Sequence, residues 1–165
     1  MIAKFLKGYL ETTATALTCP YSPLTSGSSP TKIYLDNIPT NAANNVISIH
    51  EVPTTNQRPT FWNGQTNPPE VSASTILLFI RSKMSSDAVS TALSDGDYAN
   101  VLQTAVALRD AVNRISQATY SDANGSYVID QIRPVSGAAF DHQDQQGRNL
   151  YLIRFEATYT WLSSV

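Results

Sequence analysis

Residues 150–161 read Leu-Tyr-Leu-Ile-Arg-Phe-Glu-Ala-Thr-Tyr-Thr-Trp, the clearest alternation in the chain. Side chains of a strand point to opposite faces in turn. Tyr151, Ile153, Phe155, Ala157, Tyr159 and Trp161 therefore share one face, and Arg154, Glu156, Thr158 and Thr160 the other. One face belongs to a core and the other is polar, which sets a sheet at the centre of the fold. Working back from this strand, Asp141 to Arg148 reads as a polar turn, and Tyr127 to Val135 has strand propensity with Pro134 at its far end. Ser74 to Arg81 is nearly all apolar around Ile76-Leu77-Leu78-Phe79-Ile80, which predicts a central strand covered on both faces. Val46 to Val52 alternates with Ile47 and Ile49 on one side, and Ile33-Tyr34-Leu35 is a short β-type run.

Between these runs lie the helical signals. Ile2, Phe5, Leu6, Tyr9 and Leu10 recur at the spacing of one helix face, and the helix must stop by Cys19 because Pro20 disfavours an α conformation before it. Ser86 or Asp87 can cap a short helix with Val89 and Leu93, broken at Gly96. Asp97 can cap the longest helix, where Val101, Ala105, Leu108, Val112 and Ile115 form a stripe. The expectation is one α+β domain over residues 1–165: a mainly antiparallel sheet of four to five strands with helices packed on one face. The segment from Pro53 to Ala73, with four prolines among Asn, Gln and Thr, predicts neither helix nor strand but a long loop or arm. Phe61 and Trp62 are the apolar groups it offers a partner, with Arg58 beside them.

Only 15% of the 165 residues are charged, against about 25% in a typical soluble domain, and the formal net charge is -2. A weakly acidic, thinly charged surface is a poor nucleic-acid binder, since such affinity comes from clustered Lys and Arg displacing counterions. The longest apolar run falls far short of the roughly 18 residues a membrane span needs. No export signal is read, because Lys4, Lys7 and Glu11 interrupt the N-terminal apolar stretch. The single cysteine, Cys19, has no partner for an intramolecular disulfide, lacks a nearby base and serves as a small buried or semi-buried apolar residue. Asp141, His142 and Asp144 are the only cluster resembling a metal or acid/base site. They lie in a Gly/Gln-rich turn, and His50, the other histidine, is far away in sequence, so a metal would lack converging ligands. No Gly-rich loop precedes a helix with the Lys-Ser/Thr pattern of a phosphate site. No catalytic residue, cofactor or metal is assigned. Arg154 and Glu156 either make an ordinary solvated face or set the register of a contact with a neighbouring copy, and Arg148 is a further interface candidate.

Several stretches stand in a familiar order: the N-terminal helix, Ile33-Tyr34 through Ile38-Pro39, Val46 to Val52, the strand ending Ile80-Arg81, the helix with Leu108-Arg109, and Ile132-Arg133-Pro134. The turn from Asp141 to Gly147-Arg148, followed by Leu150 to Tyr159, completes the set. By this order and spacing the chain resembles the tail terminator proteins of long-tailed bacteriophages, also labelled minor capsid or tail-completion proteins. The long Pro53 to Ala73 segment departs from them. The resemblance implies a non-enzymatic virion protein, made in the host cytoplasm, that caps the head-proximal end of the tail tube as a homohexameric ring. Its implied partners are further copies of itself, the tail tube protein and a head-tail connector or stopper, with genomic DNA passing through the ring unbound. A monomeric head-tail adaptor or other neck-completion protein is the alternative. A small metal-dependent enzyme using Asp141, His142 and Asp144 is a third reading.

Overall fold

The computed structural model describes residues 2–13, 17–24, 32–42, 45–57, 70–84, 95–122 and 125–162. Helix α1 spans Ile2–Thr13, followed by strands β1 (Ile33–Leu35), β2 (Val46–Gln57) and β3 (Glu70–Met84). Helix α2 (Asp95–Asn113) leads to β4 (Ser116–Asp122), β5 (Gly125–Pro134), β6 (Ala139–Gln143) and β7 (Arg148–Leu162). The seven strands form one sheet in the order β1-β2-β3-β7-β5-β4. β6 also pairs with β7, along the edge that β5 occupies further up: β5 meets Phe155 to Leu162 and β6 meets Asn149 to Leu152.

This corrects the expected mainly antiparallel sheet of four to five strands. The sheet is mixed and curled, strand outweighs helix, and there are two helices among the described residues. The parallel element is β1, which pairs with β2 in the register Ile33↔Ile47 to Leu35↔Ile49. Parallel neighbours need a return connection, and the described residues of this one, 36–42 and 45, contain no helix. Asp36 (φ 58°) and Asn45 (φ 60°) flank that connection in the left-handed region, which Asp and Asn tolerate better than most residues. The curl follows from α1. It packs on β1, β2 and β3, while its Phe5 ring meets Tyr120 of β4 at 5.7 Å, so the two ends of the strand order approach each other around the helix.

The core lies on the face that the helices cover. Ile47 and Ile49 of β2, Ile76, Leu78 and Ile80 of β3, Ile153 and Phe155 of β7, and Tyr127 and Ile129 of β5 are buried there. Ile2, Leu6 and Leu10 of α1 meet them, with Val101, Leu108 and Val112 of α2. The stripe read in the sequence of α2 is buried along its whole length, including Ile115 just beyond the helix. The helix starts at Asp95, two residues ahead of Asp97. The short helix expected around Val89 and Leu93 lies outside the described residues.

The other correction concerns Pro53 to Ala73, expected to be neither helix nor strand. β2 runs to Gln57 and β3 starts at Glu70, paired as Thr55↔Ala73, Asn56↔Ser72 and Gln57↔Val71. The register shifts between Pro53 and Thr55, which is where a residue without an N–H disturbs a ladder. Residues 58–69 lie outside the described ones.

Candidate functional site

Among the described residues, the sheet face away from the helices is covered at one end. There the connection from Asp36 to Ala42 folds back over the strands, and two buried guanidiniums hold it. Arg81 of β3 and Arg148 of β7, each 3% exposed, both donate to the carbonyl oxygen of Ala42, at 3.1 and 3.4 Å. Arg148 also donates to Thr40 O at 3.3 Å, and the Gln146 amide reaches the same oxygen at 3.4 Å. Burial, and then the charge of Arg148, push the Arg81 guanidinium below its ordinary pKa, against opposing pulls from Asp144, Tyr34 and Tyr21.

Asp144 organises the turn between β6 and β7. Its Oδ1 accepts from the backbone N–H of Gln146 and of Arg148, both at 2.9 Å, and its Oδ2 lies 3.5 Å from Arg148 Nε. Gly147 closes the turn at φ 75°, a conformation that costs glycine nothing, and its N–H donates to Asp144 O at 3.0 Å. The expected turn therefore shrinks to residues 144–147, and Asp141 and His142 sit on strand β6 instead.

Between the pinned connection and this hairpin lies a cleft of about 290 Å³. Phe79 forms its floor, with Ser48, Arg81 and Leu150 also lining it. Two imidazoles meet the Phe79 ring at steep angles: His50 with ring centroids 5.1 Å apart and His142 at 6.3 Å. His50 Nε2 is 3.2 Å from Ser48 Oγ, and His142 Nδ1 is paired with Asp141. Sequence reasoning separated these histidines. Strand pairing joins them, because Ser48 lies opposite Phe79, Phe79 opposite Leu152, and His142 opposite Leu150. No group of three or more His, Cys, Asp or Glu among the described residues is placed to hold a metal ion.

The remaining interface candidates scatter. Arg154 and Glu156 are exposed on the open end of the same face, where Glu156 accepts from Arg133 at 2.8 Å. That pair is about half exposed on both sides, so Glu156→Ala is expected to shift unfolding free energy by less than about 1 kcal/mol, measured by urea titration. Arg148 is buried under the connection. Arg58, Phe61 and Trp62 lie outside the described residues. Cys19 is half-buried, its Sγ 3.4 Å from Ser22 Oγ. Sequence reasoning missed Phe140, which is 58% exposed on β6 and rests against Tyr151 at 6.1 Å; Tyr98, also exposed, meets the same Tyr151 ring at 6.0 Å.

No protein-family model matches this chain, and no curated protein matches it. No described helix is long and apolar enough to cross a membrane.

Proposed function

We propose that this chain is a structural protein of a phage virion that ends the tail tube and joins the neck as a closed ring of identical copies. The resemblance in segment order supports this reading. The observation that carries it is the set of open strand edges: among the described residues, β1 and β4 end the strand order, and β6 pairs only with β7 while presenting exposed Phe140. Open edges invite pairing with another chain, and a ring needs unlike surfaces whose repeated rotation closes. The thin charge of the surface fits a role in which copies cover one another, and a net charge of -2 fits a channel that DNA crosses without sticking.

Native mass spectrometry of the purified protein, alone and mixed with tail tubes, tests the proposal. Six-subunit assemblies in either sample support it. Monomers in both would favour the adaptor reading and end the ring. Phe140→Asp is expected to lower the ring fraction while changing the stability of the isolated chain by no more than about 1 kcal/mol, because the side chain is largely solvated. Equal assembly of the Phe140→Asp variant and the parent chain would remove β6 from the contact.

A further inference from the structure

We propose that the groove between α1 and the open edge of β4 receives β6 of a second copy, so that β6 adds to β4 as a further strand and Phe140 enters the groove. The inference rests on the ring reading and deepens it by naming the two unlike surfaces that meet. The groove, of about 590 Å³, lies between the two ends of the strand order: Leu35 of β1 lines one side, Tyr120 of β4 the other, and α1 forms the floor. Its aromatic lining is held in place within the chain. Phe5 stacks on Tyr9 at 6.1 Å and meets Tyr120 at a steep angle at 5.7 Å, while the Tyr9 hydroxyl donates to Ala111 O at 3.3 Å. Gly8 leaves room above the floor, since a Cβ placed there meets nothing within 4 Å.

The two walls differ in what they offer another chain. On β1, two carbonyls are already taken: Lys7 Nζ donates to Ile33 O at 2.9 Å and the Asn37 N–H to Leu35 O at 2.8 Å, which guards that edge. β4 pairs with β5 alone among the described residues, and an edge strand turns alternate N–H and C=O groups outward. Extended backbone is the occupant that satisfies such a wall. β6 supplies it. All of its residues are exposed, and Phe140, 58% exposed and backed by Tyr151, is an aromatic side chain of the kind an aromatic groove packs best. Charge selects the same partner. Lys7 and Glu11 pair with each other at 2.6 Å, so exposed Lys4 makes the rim positive. β6 carries Asp141 and no Lys or Arg, and above the ordinary histidine pKa its Asp141–His142 pair keeps one negative charge, with Asp141 38% exposed. Two β6 strands brought together would instead set Asp141 near Asp141, which disfavours a two-fold contact and favours the head-to-tail one a ring needs.

Native mass spectrometry of the full chain at about pH 8, where histidine is ordinarily neutral, tests the proposal on the parent and three sets of variants, alone and with tail tubes. Gly8→Leu fills the groove and replaces a poor helix former, so the isolated chain should melt no lower than the parent while its assembled fraction falls about ten-fold. Lys4→Glu and Asp141→Lys should each lower assembly several-fold, and the double variant Lys4→Glu/Asp141→Lys should recover most of the loss, which damage to the fold would not do. Six-subunit assemblies formed equally well by Gly8→Leu and the parent would overturn the groove and leave the ring standing. Gly8→Leu rings that form normally but no longer join tubes would assign the groove to the tube protein and overturn β6 as its occupant. A double variant no better than its single variants would separate Lys4 from Asp141 and likewise overturn β6. A parent chain that stays monomeric in both samples would end the ring and the groove together.

Discussion

Phe155→Ala is expected to cost about 3–5 kcal/mol, enough to bring a domain of ordinary stability close to unfolding. Phe155 is fully buried at the middle of β7, opposite Ile76 of β3 on one side and Pro134 of β5 on the other. Its face neighbours along the strand, Ile153 and Ala157, are buried as well. A hole here is walled by paired backbone on both sides, which cannot close in, so the lost contacts are not regained. Urea unfolding followed by tryptophan fluorescence should show the midpoint fall sharply. Phe155→Leu, which keeps most of the volume, should fall less. A midpoint unchanged in Phe155→Ala would mean that β7 is not the spine of the core.

What made β7 legible is the same property that makes it sensitive. One face buried and one wet gives period-two alternation, and Ile153, Phe155, Ala157 and Tyr159 carry it without interruption. β3 was readable in its middle and not at its ends. Ile76 to Ile80 is apolar enough to announce itself, whereas Val71 to Ala73 is held as strand by pairing with Thr55 to Gln57 on one side and Thr158 to Thr160 on the other. Tertiary pairing there overrides composition. β4 and β6 are edge strands that cover little. Every residue of β6 is exposed, and its register slips between Phe140 and His142, which erases alternation. In β4, Ala118 and Tyr120 are the half-buried residues, and Gln117 adopts φ 51° near its start. The direction of β1 was illegible for a further reason. Nothing local in Asp36 to Asn45 says that the chain returns to start a parallel strand. The cleft inherits that blindness, since its two walls are that return and the β6–β7 hairpin, brought face to face only by the register of four strands.

Arg148→Ala is expected to cost about 2–4 kcal/mol, a large loss for a residue whose sequence context marked it as a surface contact. The guanidinium is buried, supplies donors to Thr40 and Ala42, and neighbours Asp144. Removing it strips the connection of two of the four side-chain hydrogen bonds that reach Thr40 O and Ala42 O, and leaves a partly covered carboxylate without its nearest cation. Two circumstances limit the cost. Arg81 still reaches Ala42 O and Gln146 still reaches Thr40 O, and Arg81 is relieved of a like charge. Arg148→Met should therefore be milder than Arg148→Ala, because it refills the volume without restoring the charge. Hydrogen exchange locates the effect: amides within residues 36–42 should lose protection in both variants, ahead of those in β3 and the upper half of β7. If Arg148→Ala unfolds like the parent chain and loses only its assembly, the residue works between copies and the anchoring role fails.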